Sequence, residues 1–300
     1  MMTRFDEAKL TPALCEPCLV CRNDSFQLIY QKEQWQYLRC RQCGLVSLYP
    51  RPLQADLIKD YDTYLPIQAE SITQWGRMMS RINRKSADLI QARVEKKGKI
   101  LDIGCGYGFF LKEMQERGWQ TEGIEISAVG RAYARQTWNI RVHAEPLEAL
   151  ALPQNHFDVV TLFYVIEHLL EPLSLLREVR RILKPGGLIL LRWPHTAPML
   201  KVLGPFVKNY DYFHTPFHLY DFSPSTIAKL LQQAGFEDGL TRIGGYSLPA
   251  KRFNRWFTIL CGSLAETLYL LSARQFLMPG VSKTTLARKR LQTELNDKIP

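Results

Sequence analysis

Five of the seven cysteines lie within the first 43 residues, a bias that marks off the N-terminal segment. Cys18-Leu-Val-Cys21 and Cys40-Arg-Gln-Cys43 make two CxxC pairs. Each pair can present two thiolates from one tight turn. Two such turns supply the four sulfurs of a tetrahedral Zn²⁺ site with no open position, so the metal they predict is structural. Cys15-Glu-Pro-Cys18 is another way to draw the first pair. Cys18/Cys21 is preferred, because Pro17 precedes it and the polar run Arg22-Asn23-Asp24-Ser25 follows, which leaves Cys15 spare. Free or redox-active thiols are the competing reading.

A second constellation is Lys99–Leu111, KILDIGCGYGFFL. An apolar strand over Ile100–Ile103 enters a turn containing Gly104, Gly106 and Gly108, and a helix follows. Glycines let the backbone approach a ligand closely, and the helix N-terminus offers free N–H groups to a carboxylate or phosphate. Asp102, just before the turn, can engage a ligand ammonium or fix the loop. The dinucleotide pattern GxGxxG fails, since Phe109 stands where its third glycine belongs. The next strand, in Thr121–Ser127, carries Glu125, where a carboxylate can accept both hydroxyls of a ribose. Proton acceptors come later. His168 follows a buried strand, at the sheet edge where ligands bind in such folds. His218 and Tyr220 lie in Phe217–Phe222, just before a helix capped by Ser223 with Pro224 in its first turn. His195 and His214 read as surface or packing residues, and His143 and His156 carry no usable signal.

The elements that position these groups alternate strand and helix. The near-continuous apolar run 157–169 reads as a strand buried on both faces. After it come a helix, a Lys184-Pro185-Gly186-Gly187 turn and another buried strand. The pattern predicts an α/β, Rossmann-like, doubly wound and mostly parallel sheet, with a small N-terminal zinc ribbon whose two strands are the FQLIY and WQYLRC segments. The expected divisions are a zinc-ribbon module over 1–50, a linker with helices over 51–97, and a ligand-binding domain over 98–300. The linker's Tyr61 and Tyr64 read as packing residues. Segments 240–247 and 281–289 read as a terminal strand pair separated by a helical insertion at about 251–280.

The G-x-G-x-G turn after Asp102, Glu125, the apolar strand ending in Glu167-His168 and the glycine turn before the next strand occur in the order of the class I S-adenosylmethionine (SAM)-dependent methyltransferases, which residues 85–245 resemble. That resemblance implies SAM as methyl donor, held by Asp102, Gly104, Gly106, Gly108, Glu125, Ile126, Leu147 and Phe163, with His168, His218 and Tyr220 as catalytic or acceptor-site residues. The family's usual acidic contact to adenine falls at Pro146, with Glu145 and Glu148 nearby, so that contact is not assigned. The paired CxxC knuckles, Gly44-Leu45-Val46, Pro50-Arg51-Pro52 and the Tyr-rich linker look like a bacterial group of zinc-ribbon methyltransferases, several of them associated with sugars and glycans. This implies methyl transfer to oxygen or carbon of a small-molecule or glycan acceptor, free or lipid-linked.

Composition narrows the alternatives. The formal net charge is +10, which suits nucleic acid, anionic lipid or an acidic substrate. An RNA methyltransferase is the runner-up reading. Against it, no basic–aromatic run flanks the knuckles and no NPPY-type motif occurs. A non-catalytic SAM-binding protein is the third reading. The start of the chain has acidic residues and no apolar run, so it does not read as a secretory signal, and a cytoplasmic protein is expected. The insertion repeats Phe253, Phe257, Leu260, Leu264, Leu268 and Leu271 at helical spacing, with Lys251, Arg252 and Arg255 at its start. It predicts an amphipathic helix that either packs on the domain or a second subunit, or lies on the inner face of a membrane.

Overall fold

The computed structural model describes residues 16–53, 57, 65–203 and 211–291. Cys15, Tyr61 and Tyr64 lie outside them. The strands are β1 (Phe26–Lys32), β2 (Trp35–Cys40), β3 (Val46–Tyr49), β4 (Lys99–Ile103), β5 (Gln120–Ile124), β6 (Arg141–His143), β7 (Phe157–Phe163), β8 (Leu183–Trp193), β9 (Tyr220–Asp221), β10 (Phe236–Ile243) and β11 (Lys283–Lys289). The α-helices are α1 (Ala69–Gln91), α2 (Phe109–Glu116), α3 (Ala128–Trp138), α4 (Pro172–Ile182), α5 (Ala197–Leu203), α6 (Pro224–Gln233) and α7 (Arg252–Leu271).

Seven strands form the central sheet in the order β10-β11-β8-β7-β4-β5-β6. Strands β8, β7, β4, β5 and β6 run parallel. Strand β11 inserts antiparallel between β8 and β10, the terminal strand pair read from the sequence. The middle strands are buried on both faces: Leu101, Val159, Val160, Leu162, Ile189 and Leu190 are all fully buried. Parallel strands covered by helices on both sides need such continuous apolar runs. The expected Lys184–Gly187 turn is instead a bulge inside β8: Phe157 pairs with Leu183 but Val159 with Leu188, and Gly186 takes φ +73° to absorb the extra residues.

A second sheet has the order β1-β2-β3-β9. The β1–β2 hairpin is the anticipated ribbon. What local pattern did not reveal is that β9, which follows His218, completes this sheet against β3. Tyr37, Leu45 and Leu48 of the ribbon share one hydrophobic core with Leu162, Phe213, Leu219 and Phe222. The ribbon therefore draws on the main core rather than on a core of its own.

Helix α7 reverses an ordinary amphipathic arrangement. Its Gly262, Ala265 and Tyr269 are buried against the domain. Gly262 sits so close to Tyr246 that a Cβ there would lie 2.0 Å from the ring. Glu266 pairs with Arg81, at 3.1 Å, and with Lys85. The apolar side was expected to supply any packing on the domain; it faces outward instead.

Candidate active site

The sheet's carboxyl edge gathers the candidate ligand-binding groups. Strand β4 ends at Ile103, and the next residues turn sharply: Gly104, Gly106 and Gly108 all have positive φ, at +74°, +53° and +75°. Backbone N–H groups of Gly104 and Cys105 donate to the Ile124 carbonyl, which fastens the turn to β5. A Cβ on Gly104 would meet Val165 at 2.5 Å and one on Gly108 would meet Ala134 at 3.0 Å, whereas one on Gly106 would meet nothing within 4 Å. Gly106 thus borders open space, the place where a ligand can reach the backbone. From the other side Tyr107 packs with Leu65 and Ile72.

Glu125 follows β5 and is buried. One carboxylate oxygen accepts from Gly106 N at 2.7 Å and the other from Ser127 N at 2.8 Å. Each oxygen keeps a second lone pair, so the group can brace the glycine turn and still accept a hydroxyl from a ligand. Burial pushes its pKa up, while those two N–H groups and Arg131 pull it down. Asp102 is buried behind the turn, accepts from Thr161 Oγ1 at 2.6 Å, and is pushed up to about 8 by burial, with the Glu125 charge adding to it. A cationic ligand beside this pair would favour the ionised form of Asp102. Leu147 is buried, Ile126 is exposed and the Phe163 ring packs on Phe110 at 4.7 Å.

The next cluster follows β7. Residues Ile166–His168 form one 3₁₀ turn. His168 Nδ1 lies 2.9 Å from the Phe217 carbonyl oxygen. A carbonyl can only accept, so Nδ1 carries the proton and Nε2 of the neutral ring is the basic nitrogen. Burial lowers the His168 pKa to about 4. His218 packs edge-on at 4.9 Å, and His214 lies 5.2 Å beyond it. Burial drives His218 to about 2, so both rings are neutral near pH 7. Glu167 is fully buried, and neither of its carboxyl oxygens finds a hydrogen-bond partner among the described residues. Burial raises it to about 8, so it is protonated near neutrality. One ligand atom from each of Glu167, His168 and His218 lies within 4.8 Å of the others. Sequence pattern singled out the two histidines but not Glu167, whose burial is tertiary. Tyr164 was also missed; it has φ +57° beside Arg192, a strained backbone of the kind that gathers at functional sites.

Tyr220 is placed differently from its expected role. Its ring is buried under the Arg51 guanidinium at 4.3 Å, and its hydroxyl donates to Leu170 O at 3.4 Å. It belongs to the packing between ribbon and core. His195 is half-buried near Trp193, with its ring centroid 5.9 Å from the indole.

The ribbon reaches the histidine segment through β9. Tyr37 stacks on Phe213 at 4.1 Å and donates its hydroxyl to His218 O at 3.0 Å. Leu48 N donates to Leu219 O at 2.9 Å. Lys32 pairs with Asp211 at 2.9 Å, and Asp211 in turn accepts from Thr215. At the far end of the ribbon, the sulfurs of Cys18, Cys21, Cys40 and Cys43 all lie within 4.8 Å of one another. Cys18 and Cys43 are 3.4 Å apart, as are Cys21 and Cys40. Zn–S bonds of about 2.3 Å require S–S separations of roughly 3.8 Å, so the four thiols fit the geometry of a tetrahedral cation. The two knuckles also match in backbone: Arg22 N donates to Cys18 O and Gly44 N to Cys40 O.

The methyltransferase-domain family matches residues 75–239, just over half of the chain. A ubiquinone biosynthesis O-methyltransferase of Acinetobacter baumannii is 31% identical over 46% of this chain and 62% of that protein, so the match spans less than two-thirds of the relative. One from Leptothrix cholodnii is 27% identical over 59% of this chain and 81% of the relative. A SAM-dependent methyltransferase from Archaeoglobus fulgidus superposes with a TM-score of 0.50 at 20% identity, covering 74% of this chain and all of that one. Haemonchus contortus phosphoethanolamine N-methyltransferase 2 in complex with SAM gives 0.50 at 15% identity, over 78% of this chain and 60% of that one. The chain belongs to the methyltransferase-domain family and has the Rossmann-like α/β fold of the SAM-dependent methyltransferases it superposes on.

Proposed function

We propose that the protein transfers the SAM methyl group to an oxygen of a small-molecule or glycan acceptor, with His168 as the base. The observation that supports this reading is the His168 tautomer, which leaves Nε2, 4.0 Å from Glu167 Oε1 at the carboxyl edge of the sheet, as the basic nitrogen of a ring that stays neutral near pH 7. The names of the O-methyltransferase relatives support an oxygen acceptor. Gly104, Gly106 and Gly108 bring the backbone to the donor, Glu125 accepts its ribose hydroxyls, and Asp102 balances its positive charge. Ile126, Leu147 and Phe163 line the donor's rings. SAM supplies a methyl group on a sulfonium, already activated for in-line displacement. As the acceptor oxygen bonds to the methyl carbon, the carbon–sulfur bond breaks, its electron pair stays on sulfur, and the hydroxyl proton passes to His168 Nε2. Alignment of acceptor and methyl contributes on the order of 7–11 kcal/mol, and the base a further 10²–10⁴-fold or so. His218 borders the acceptor. The four ribbon cysteines hold one structural zinc, which keeps the ribbon folded against the histidine segment.

The test is transfer of labelled methyl from SAM into fractionated lysate. The reading predicts label in a nuclease-resistant small-molecule, glycan or lipid-linked fraction. Label confined to RNA would overturn it.

A further inference from the structure

The geometry points to α7 as a docking surface for an anionic lipid bilayer. Phe253, Trp256, Phe257, Leu260, Leu264 and Leu271 fall on one stripe at the helical period, and each is between 48% and 82% exposed. The opposite side, with Gly262 and Ala265, is the side buried on the domain. A helix that packs on its own protein turns its large apolar groups inward; α7 does the reverse. Trp256 and both Phe rings sit in the first two turns, beside exposed Lys251, Arg252 and Arg255, and exposed Arg274 follows the helix. Between Lys251 and Phe276 the one acidic residue is Glu266, and it is engaged inward with Arg81 and Lys85.

This charge pattern selects the occupant. A stripe of apolar side chains with a wholly basic rim matches an interface whose phosphates are negative and whose interior is apolar. Each basic residue near such a surface favours binding by about fivefold. A second copy of the chain would bring the same basic rim against this one, on a protein of net charge +10. The contact is peripheral, because no helix among the described residues is long and apolar enough to cross a membrane.

The placement also suits the active site. Lys283 pairs with both Ile243 and Trp193, so the insertion leaves and rejoins the sheet at the carboxyl end of β8. Gly280 N donates to His195 O at 3.1 Å. The edge that carries the glycine turn and His168 is therefore the edge that α7 would bring to the lipid, and an acceptor anchored in the bilayer would meet the site there. That last clause rests on the methyl-transfer reading; the docking does not.

Flotation with phosphatidylcholine vesicles, with and without phosphatidylglycerol, tests the proposal on the full chain. Wild type is expected to float with the anionic vesicles at least tenfold better than with the neutral ones, and less well as salt rises. Phe257→Asp/Leu260→Asp should lose flotation, and Arg252→Glu/Arg255→Glu should lose the preference for anionic lipid. Calorimetric SAM binding in both variants establishes that they are folded. Wild type that fails to float, or equal flotation of wild type and the Asp variant, would overturn the proposal. So would a wild-type dimer that the Asp variant converts to monomer, since the stripe would then be an interface between copies. Loss of SAM binding by wild type would sink the methyl-transfer reading and leave the flotation result standing.

Discussion

Tyr37→Phe tests whether the ribbon positions the acceptor side of the site. The ring of Tyr37 is fully buried and lies 4.1 Å from the Phe213 ring at an interplanar angle of 18°, so its packing survives the change. What is lost is one hydroxyl, which donates to His218 O at 3.0 Å and approaches Phe213 O at 3.4 Å. A hydrogen bond of this kind contributes about 0.5–1.5 kcal/mol net, and a buried carbonyl left without a partner costs about 1–3 kcal/mol. A loss near 2 kcal/mol is expected, which lowers Tm by roughly 4–8 °C for a chain of this size. If the same hydrogen bond holds His218 in register, kcat/KM for the acceptor falls about 10- to 30-fold at roughly 1.4 kcal/mol per tenfold. The SAM Kd stays within about twofold, because Gly106 and Glu125 lie just after β4 and β5, away from the ribbon. The assay pairs acceptor kinetics with calorimetric SAM titration and a thermal melt. A lower Tm with unchanged acceptor kinetics would refute the positioning argument and leave the ribbon as packing alone.

Metal analysis of protein purified without chelator should find one zinc per chain, lost in Cys18→Ser; absence of zinc in the wild type would refute the ribbon assignment. Retained zinc in Cys18→Ser with loss in Cys15→Ser would move the site to a different set of thiols. His168→Ala should lower turnover about 10²- to 10⁴-fold with SAM affinity unchanged, and wild-type turnover in that variant would remove the base from the mechanism. For pH, the sign follows from burial. His168 must be neutral to accept a proton, and its pKa in the folded protein is depressed to about 4. Its basic form is therefore complete above about pH 5, and kcat/KM should fall only as pH drops through 4. An acid limb centred near the ordinary histidine value of about 6.5 would show a solvated ring instead.

Much of this was legible in residue patterns. The strands β4, β7 and β8 carry near-continuous apolar runs because a parallel sheet covered on both faces gives them no solvent side. The glycine turn was legible because three positive φ values in five residues leave few other residue types. The two knuckles were legible because a tetrahedral metal site requires thiols in such closely spaced pairs. The rest depends on contacts between distant segments. A two-residue strand, Tyr220–Asp221, carries no periodicity, so its pairing with β3 and the inward turn of Tyr220 had no local signal. Helix α7 was visible at its 3.6-residue period, but which side faced the domain was decided by Gly262 against Tyr246 and Glu266 against Arg81. Glu167 reads as half of a Glu-His pair, and only the fold reveals that its carboxyl is buried with no hydrogen-bond partner among the described residues.

The most direct test of the account is a calorimetric titration of SAM into wild type and Gly106→Val. Gly106 has φ +53°, and a side chain there would project into open space beside Glu125 rather than into protein. The wild type should bind one SAM per chain, and the valine variant should show no heat of binding while its secondary structure stays at the wild-type level. Equal SAM affinity in the two proteins would contradict the placement of the methyl donor on the glycine turn.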